Sequence, residues 1–170
     1  MKNNSLLHRY GLAALLSLSF LAVSAPVQAQ EEKEIVFVDL DGNKSKLSDY
    51  KGKWVVVNLW ATWCPPCLKE IPDLVMFHEA HAKTDAVVIG VNYEDLATDK
   101  VKAFAESQLV NYPIVRFETD PDGKTTPFGD LRGLPTTYMV NPEGKIVAAR
   151  TGMVDAKMLN DFIQNYKSPR

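Results

Sequence analysis

The sequence predicts an α/β fold in which a mixed central sheet carries helices on both faces. Two short apolar runs, residues 55–60 and 86–92, are rich in β-branched side chains and read as buried strands. A stretch of helical periodicity follows each of them. Later, an Asn141-Pro142-Glu143-Gly144 turn joins two more strand-like runs into a hairpin. Strand, helix, strand, helix, hairpin and final helix, in that order, imply parallel and antiparallel pairing in one sheet between covering layers.

Each element has a local reason. Residues 30–34 form a polar, charged leader that frays. Residues 35–40 are a first strand, Asp41-Gly42 is a strong turn signal, and residues 45–47 return as a second short strand. Residues 48–53 are a loop or single turn before the central strand at 54–60. Residues 68–81 read as a helix whose apolar stripe is Leu68, Ile71, Leu74, Val75 and either Phe77 or His78. Pro72 removes one backbone hydrogen bond there and predicts a kink. Residues 86–92 suit a buried parallel strand, which Tyr93-Glu94-Asp95 leaves. Thr98 is suited to cap a helix over 99–108, with Val101, Phe104 and Ala105 inward. Residues 114–117 are a weaker strand, 120–123 a loop, and 128–131 one turn of helix. Residues 134–140 and 145–150 are the hairpin strands. Asp155 caps a last helix to about residue 166, with Met158, Leu159 and Phe162 facing in.

The chain has 170 residues, enough for one domain with a real core. Its first residues do not belong to that core. Lys2, His8 and Arg9 precede an apolar segment over 11–23, and Val27-Gln28-Ala29 supplies small residues for cleavage before Gln30. This is the pattern of a secretory signal peptide over 1–29, leaving a single domain over 30–170. The apolar segment is shorter than the ~20 residues of a membrane-spanning helix, so a retained anchor is the minor alternative. Without residues 1–29 the chain keeps 17 basic and 21 acidic residues, a net charge that disfavours nucleic acid or an anionic membrane as partner.

Both cysteines lie in one stretch, Trp60-Ala61-Thr62-Trp63-Cys64-Pro65-Pro66-Cys67-Leu68-Lys69-Glu70, between the central strand and the first helix. A helix N-terminus offers unpaired N–H groups and the positive end of the macrodipole, and both favour a thiolate. A bridge across two intervening residues closes almost no loop, so it stabilises little and is suited to opening and closing. Pro65 and Pro66 stiffen that ring, and Pro66 fits the first helical turn. Cys64, ahead of the helix body, is the expected exposed nucleophile; Cys67, one turn deeper, is the resolving thiol. Glu70 lies one further turn along and can sit beneath the pair. His78 is about 16 Å up the helix from Cys67 and His81 a turn beyond, too far to share an ion with the cysteines.

Trp63-Cys64-Pro65-Pro66-Cys67 resembles the active site of the thioredoxin superfamily. The wider run from Asn58 to Pro72 is similar to the exported TlpA/ResA-like thiol:disulfide oxidoreductases, including those of cytochrome c maturation. The resemblance covers roughly residues 35–166. It implies a thioredoxin fold with extra N-terminal strands and a helix-strand insertion between about 93 and 117. It makes Cys64, Cys67 and Glu70 the catalytic residues, with Glu70 handling protons. It also matches Pro135 to the superfamily's cis-proline, beside which Leu134 would pair with an extended substrate. Trp63, Pro65 and Pro66 complete the expected substrate-binding surface, and Trp60 packs below the site. Asn58 departs from thioredoxin itself, which carries an aspartate there.

With the signal-peptide pattern, the resemblance implies an extracytoplasmic reductant of specific protein disulfides such as apocytochrome c. It would be recharged by a membrane thiol-disulfide donor and need no cofactor beyond the redox-active Cys64–Cys67 disulfide, and no metal. Two other readings stay open: a disulfide oxidase or isomerase, because sequence fixes potential only loosely, and a copper-handling thiol protein, with Met139 or Met153 as a further soft ligand.

Overall fold

A computed structural model of the chain describes residues 34–119 and 121–166. The expected signal peptide over 1–29 lies outside the described residues. The fold is built on a seven-stranded mixed sheet. Its strands are β1 (Val36–Asp39), β2 (Lys44–Lys46), β3 (Trp54–Trp60), β4 (Ala86–Asn92), β5 (Ile114–Phe117), β8 (Thr136–Val140) and β9 (Ile146–Thr151), in the spatial order β2-β1-β5-β4-β3-β8-β9. β4 runs parallel to β3 and β5, and the remaining pairs are antiparallel. The two runs read as fully buried strands are therefore the two central strands. β3 is buried at every position, as a strand covered on both faces must be.

Three α-helices connect and cover the sheet: α1 (Pro65–His81), α2 (Thr98–Ser107) and α3 (Ala156–Asn165). Alternation along β3 divides the core in two. Trp54, Val56 and Trp60 share one cluster with Leu74 and Phe77 of α1, Val101 and Ala105 of α2, and Leu159 of α3. Val55, Val57 and Leu59 face the other cluster with Phe37, Ile89, Val115 and Tyr138. The second face is covered by a 3-10 helix, Leu47–Tyr50, and by the half-buried Phe128 and Leu131. Among the described residues, helical elements thus lie on both faces, but unequally: three α-helices on one, a single 3-10 turn on the other.

Several local expectations are corrected. α1 begins at Pro65, three residues before the start that its apolar stripe suggested, because prolines at the first two helical positions lose no bond there. In its stripe Phe77 is buried and His78 only half-buried. Thr98 is the first residue of α2 rather than its cap; Ala97 holds the cap position, with no side-chain bond. Residues 128–131 form no helical turn. Thr126 and Gly129 pair across a small hairpin of β6 (Thr125–Thr126) and β7 (Gly129–Asp130), and Gly129 takes the positive φ of 116° that its bend requires. Met158 is 39% exposed, so the inward face of α3 is Leu159 with the half-buried Phe162.

Candidate active site

The carboxyl ends of parallel strands are where open α/β sheets place their sites, and β3 delivers the chain to one here. Ala61 accepts from the Cys64 N–H at 3.2 Å, turning the chain sharply between strand and helix. Cys64 is the N-cap of α1, and its Sγ accepts from the Cys67 N–H at 3.4 Å. The free amide anticipated at this helix end therefore points at the sulfur that would carry charge. Cys64 and Cys67 form a disulfide with their Cα atoms 5.3 Å apart. Cys64 is 3% exposed and Cys67 wholly buried. The order of access is as anticipated, but the expectation of an openly exposed Cys64 is corrected: the turn over Ala61 leaves it nearly as buried as Cys67.

Trp63 stands 67% exposed beside it, while Trp60 is buried and stacks on Phe104 with ring centroids 5.7 Å apart. Pro65 is exposed and Pro66 half-buried. Across the site the Leu134–Pro135 bond is cis. Pro135 is buried, its carbonyl accepts from Gly152 N–H at 2.8 Å, and Leu134 is half-buried. Leu134 and Trp63 line the same groove, of about 340 Å³, together with Tyr93, Glu94, Asp95 and Leu131. Trp63, which directly precedes Cys64, and the Leu134 loop, 71 residues apart in sequence, are thus brought together on one groove.

Glu70 is fully buried in the first turns of α1. Its Oε1 accepts from Asn58 Nδ2 at 2.7 Å and its Oε2 from the Val154 N–H at 2.9 Å. Burial pushes its carboxyl up to about 7, and those two donors pull against the rise. Asn58 is itself fixed by donating to Thr137 Oγ1 at 3.1 Å. The asparagine that departs from the thioredoxin pattern therefore tethers Glu70 to the central sheet.

Sequence reasoning missed Glu94, which accepts from the Thr62 N–H at 2.8 Å and from Thr62 Oγ1 at 3.1 Å. Its signal was a charged residue directly behind a buried strand. The histidines stay outside the site: His81 bonds Asp85 and Asn160, each at 2.8 Å, and His78 Nδ1 accepts from Val88 N–H at 3.1 Å.

The comparisons agree with this geometry. Residues 24–149 match the AhpC/TSA family. The chain is 36% identical over 141 residues to the thiol-disulfide oxidoreductase ResA of Bacillus subtilis (strain 168), covering 82% of this chain and 76% of that protein. Among solved structures it resembles the exposed lipoprotein thioredoxin Etrx1 of Streptococcus pneumoniae, with TM-score 0.66, 27% identity, and coverage of 78% of this chain and 99% of that one. A DsbF homologue from Corynebacterium diphtheriae has TM-score 0.66, 26% identity, and coverage of 84% and 96%. A helix-capping Cys-x-x-Cys disulfide, a cis-proline at the start of the strand beside β3 and these relatives lead to one assignment: the chain belongs to the AhpC/TSA family of the thioredoxin superfamily and is a thiol:disulfide oxidoreductase.

Proposed function

We propose that the chain reduces disulfides of specific proteins outside the cytoplasm, with Cys64 as nucleophile, Cys67 as resolving thiol and Glu70 as proton acceptor. The observation that carries this is the Cys67 N–H aimed at Cys64 Sγ, one helical turn from a buried carboxyl held near neutrality. In the reduced protein the Cys64 thiolate bonds to one sulfur of a substrate disulfide and expels the other as a thiolate. Cys67 gives its proton to Glu70 and attacks Cys64 Sγ. The Cys64–Cys67 bond forms, and the second substrate sulfur leaves as a thiolate. Two electrons pass to the substrate, and the two departing thiolates take up protons, one of them from Glu70. A carboxyl titrating near 7 can both accept and return a proton at working pH.

Trp63, Pro65, Pro66, Leu134 and Pro135 would supply the substrate surface; Trp63 and Leu134 line one groove. An extended segment of the partner would lie between Trp63 and Leu134, its cysteine over Cys64. Apocytochrome c is the leading substrate by family analogy. Electrons must be supplied in an oxidising compartment, and by family analogy a membrane thiol-disulfide protein would regenerate the dithiol. The N-terminal sequence pattern, with relatives described as an exposed lipoprotein and a secreted isomerase, supports export. Insulin-disulfide reduction coupled to dithiothreitol tests the chemistry. Cys64→Ser should abolish the rate, and a variant with full activity would refute the reading.

A further inference from the structure

We propose that Glu94 is a positioning residue whose negative charge, held against the backbone just before Cys64, sets the Cys64–Cys67 couple toward the reducing side. The inference rests on the oxidoreductase reading and adds what determines its direction. Glu94 follows the end of β4 and is only 9% exposed. Its Oε1 accepts from the Thr62 N–H and from Asn92 Nδ2, both at 2.8 Å, and its Oε2 from Thr62 Oγ1 at 3.1 Å. A carboxylate is an acceptor-only group, and three donors converge on this one. Thr62 lies inside the turn that the Cys64 N–H closes on Ala61. Such a turn brings its ends within about 7 Å, so the Glu94 charge lies on the order of 10 Å from the Cys64 sulfur.

The nearby cation does not cancel it. Arg116 of β5 donates from Nη2 to Asn92 Oδ1 at 3.1 Å and to the Leu96 carbonyl, while its buried Nε has no partner. It reaches Glu94 only across the Asn92 amide, so it offsets the charge in part. Lys69, two residues after Cys67, is exposed to solvent, and the acidic residues adjacent in sequence to the pair and to Glu94 are the buried Glu70 of α1 and the exposed Asp95. Glu94 differs from both in gripping the turn itself. The Cys64 thiolate of the reduced protein feels this anion, whereas the neutral disulfide does not. The charge therefore opposes the helix N-terminus, disfavours the thiolate-bearing form and makes the protein give up its two electrons more readily.

Glu94→Gln separates charge from position. The glutamine oxygen can still accept from Thr62 N–H and Asn92, and its Nε2 can donate to Thr62 Oγ1. The reduction potential is read by equilibration in dithiothreitol buffers, and Cys64 ionisation by thiolate absorbance of the reduced protein. A unit charge at this distance moves ionisation by on the order of one pKa unit, with Arg116 offsetting part. Glu94→Gln should therefore lower the Cys64 pKa and shift the exchange constant up to about tenfold, or about 30 mV in the oxidising direction. Arg116→Gln removes the counter-charge and should shift both readings the opposite way. Wild-type values in Glu94→Gln overturn the proposal. If Glu94→Gln does not fold, Arg116→Gln decides alone, and an unchanged or more oxidising potential overturns it. A wild-type protein that never cycles between dithiol and disulfide would sink the oxidoreductase reading itself. Cycling with unshifted variants would sink only the role of Glu94.

Discussion

Glu70 shows how burial and chemistry meet in one side chain. An ordinary glutamate would be fully ionised at neutral pH, but burial pushes this one to about 7. A group whose folded value exceeds its unfolded one near 4.5 favours folding in its protonated form. That advantage is complete below about 4.5 and is lost as pH rises through 7, at a cost of about 3 kcal/mol. Glu70→Gln should therefore gain stability relative to the wild-type disulfide form between pH 5 and pH 8, by up to about 3 kcal/mol. Denaturant unfolding at the two values checks this, and parallel curves for the two proteins would contradict it. The same substitution should slow disulfide reduction and flatten its rise near pH 7. Glu70 was legible because its spacing from Cys67 fixes its helical face. Its partners were not: Asn58 and Val154 lie 12 and 84 residues away, and only the sheet brings them to it.

At the scale of elements, strong local signals survived and weak ones yielded to packing. Asp155 was readable as a cap, and its side chain accepts from the Met158 N–H at 2.7 Å. Asp155→Ala should cost about 1 kcal/mol in unfolding free energy, because that amide then has no partner. Thr98 offered the same chemistry but sits one residue inside α2, since Lys100 and Val101 bond back to the Ala97 carbonyl. Residues 128–131 gave a helical reading from four residues alone. Asp122 and the positive φ of Gly129 instead shape a hairpin there, with Asp122 accepting from the Thr125 N–H at 2.7 Å. Gly90 marks where β4 meets its neighbours most closely. A Cβ added there would lie 2.8 Å from Ile114 Cδ1, 2.9 Å from Tyr112 Cε2 and 3.2 Å from Trp60 Nε1. Gly90→Ala should therefore lower stability by about 1–3 kcal/mol in chemical denaturation. A neutral result would mean that Ile114 and Tyr112 repack freely.

For the whole molecule, the sheet and the cysteine pair were legible for one physical reason. Strands covered on both faces read as near-continuous apolar runs, with Asn58 the one polar residue of β3, and the prolines after Cys64 suit a helix start, so residues 54–67 declare both strand and site. Which face each helix covers was not legible, because apolar stripes record that a helix is buried and not against what. The sheet resolves it by alternation: even-numbered positions of β3 from Trp54 to Trp60 face all three α-helices, and the odd ones face the 3-10 turn. Glu70 and its Asn58 tether belong to the helix-rich side, and the loop between β9 and α3 closes over the carboxyl through the Val154 N–H. The central claim is that Cys64 exchanges with protein disulfides and Cys67 releases the product. Trapping tests it most directly: each cysteine is replaced singly by alanine, the variants are expressed as the full 170-residue chain, and covalent complexes are separated without reductant. The account predicts reductant-sensitive mixed disulfides through Cys64 in Cys67→Ala and none in Cys64→Ala; equal trapping by both, or trapping only through Cys67, would contradict it.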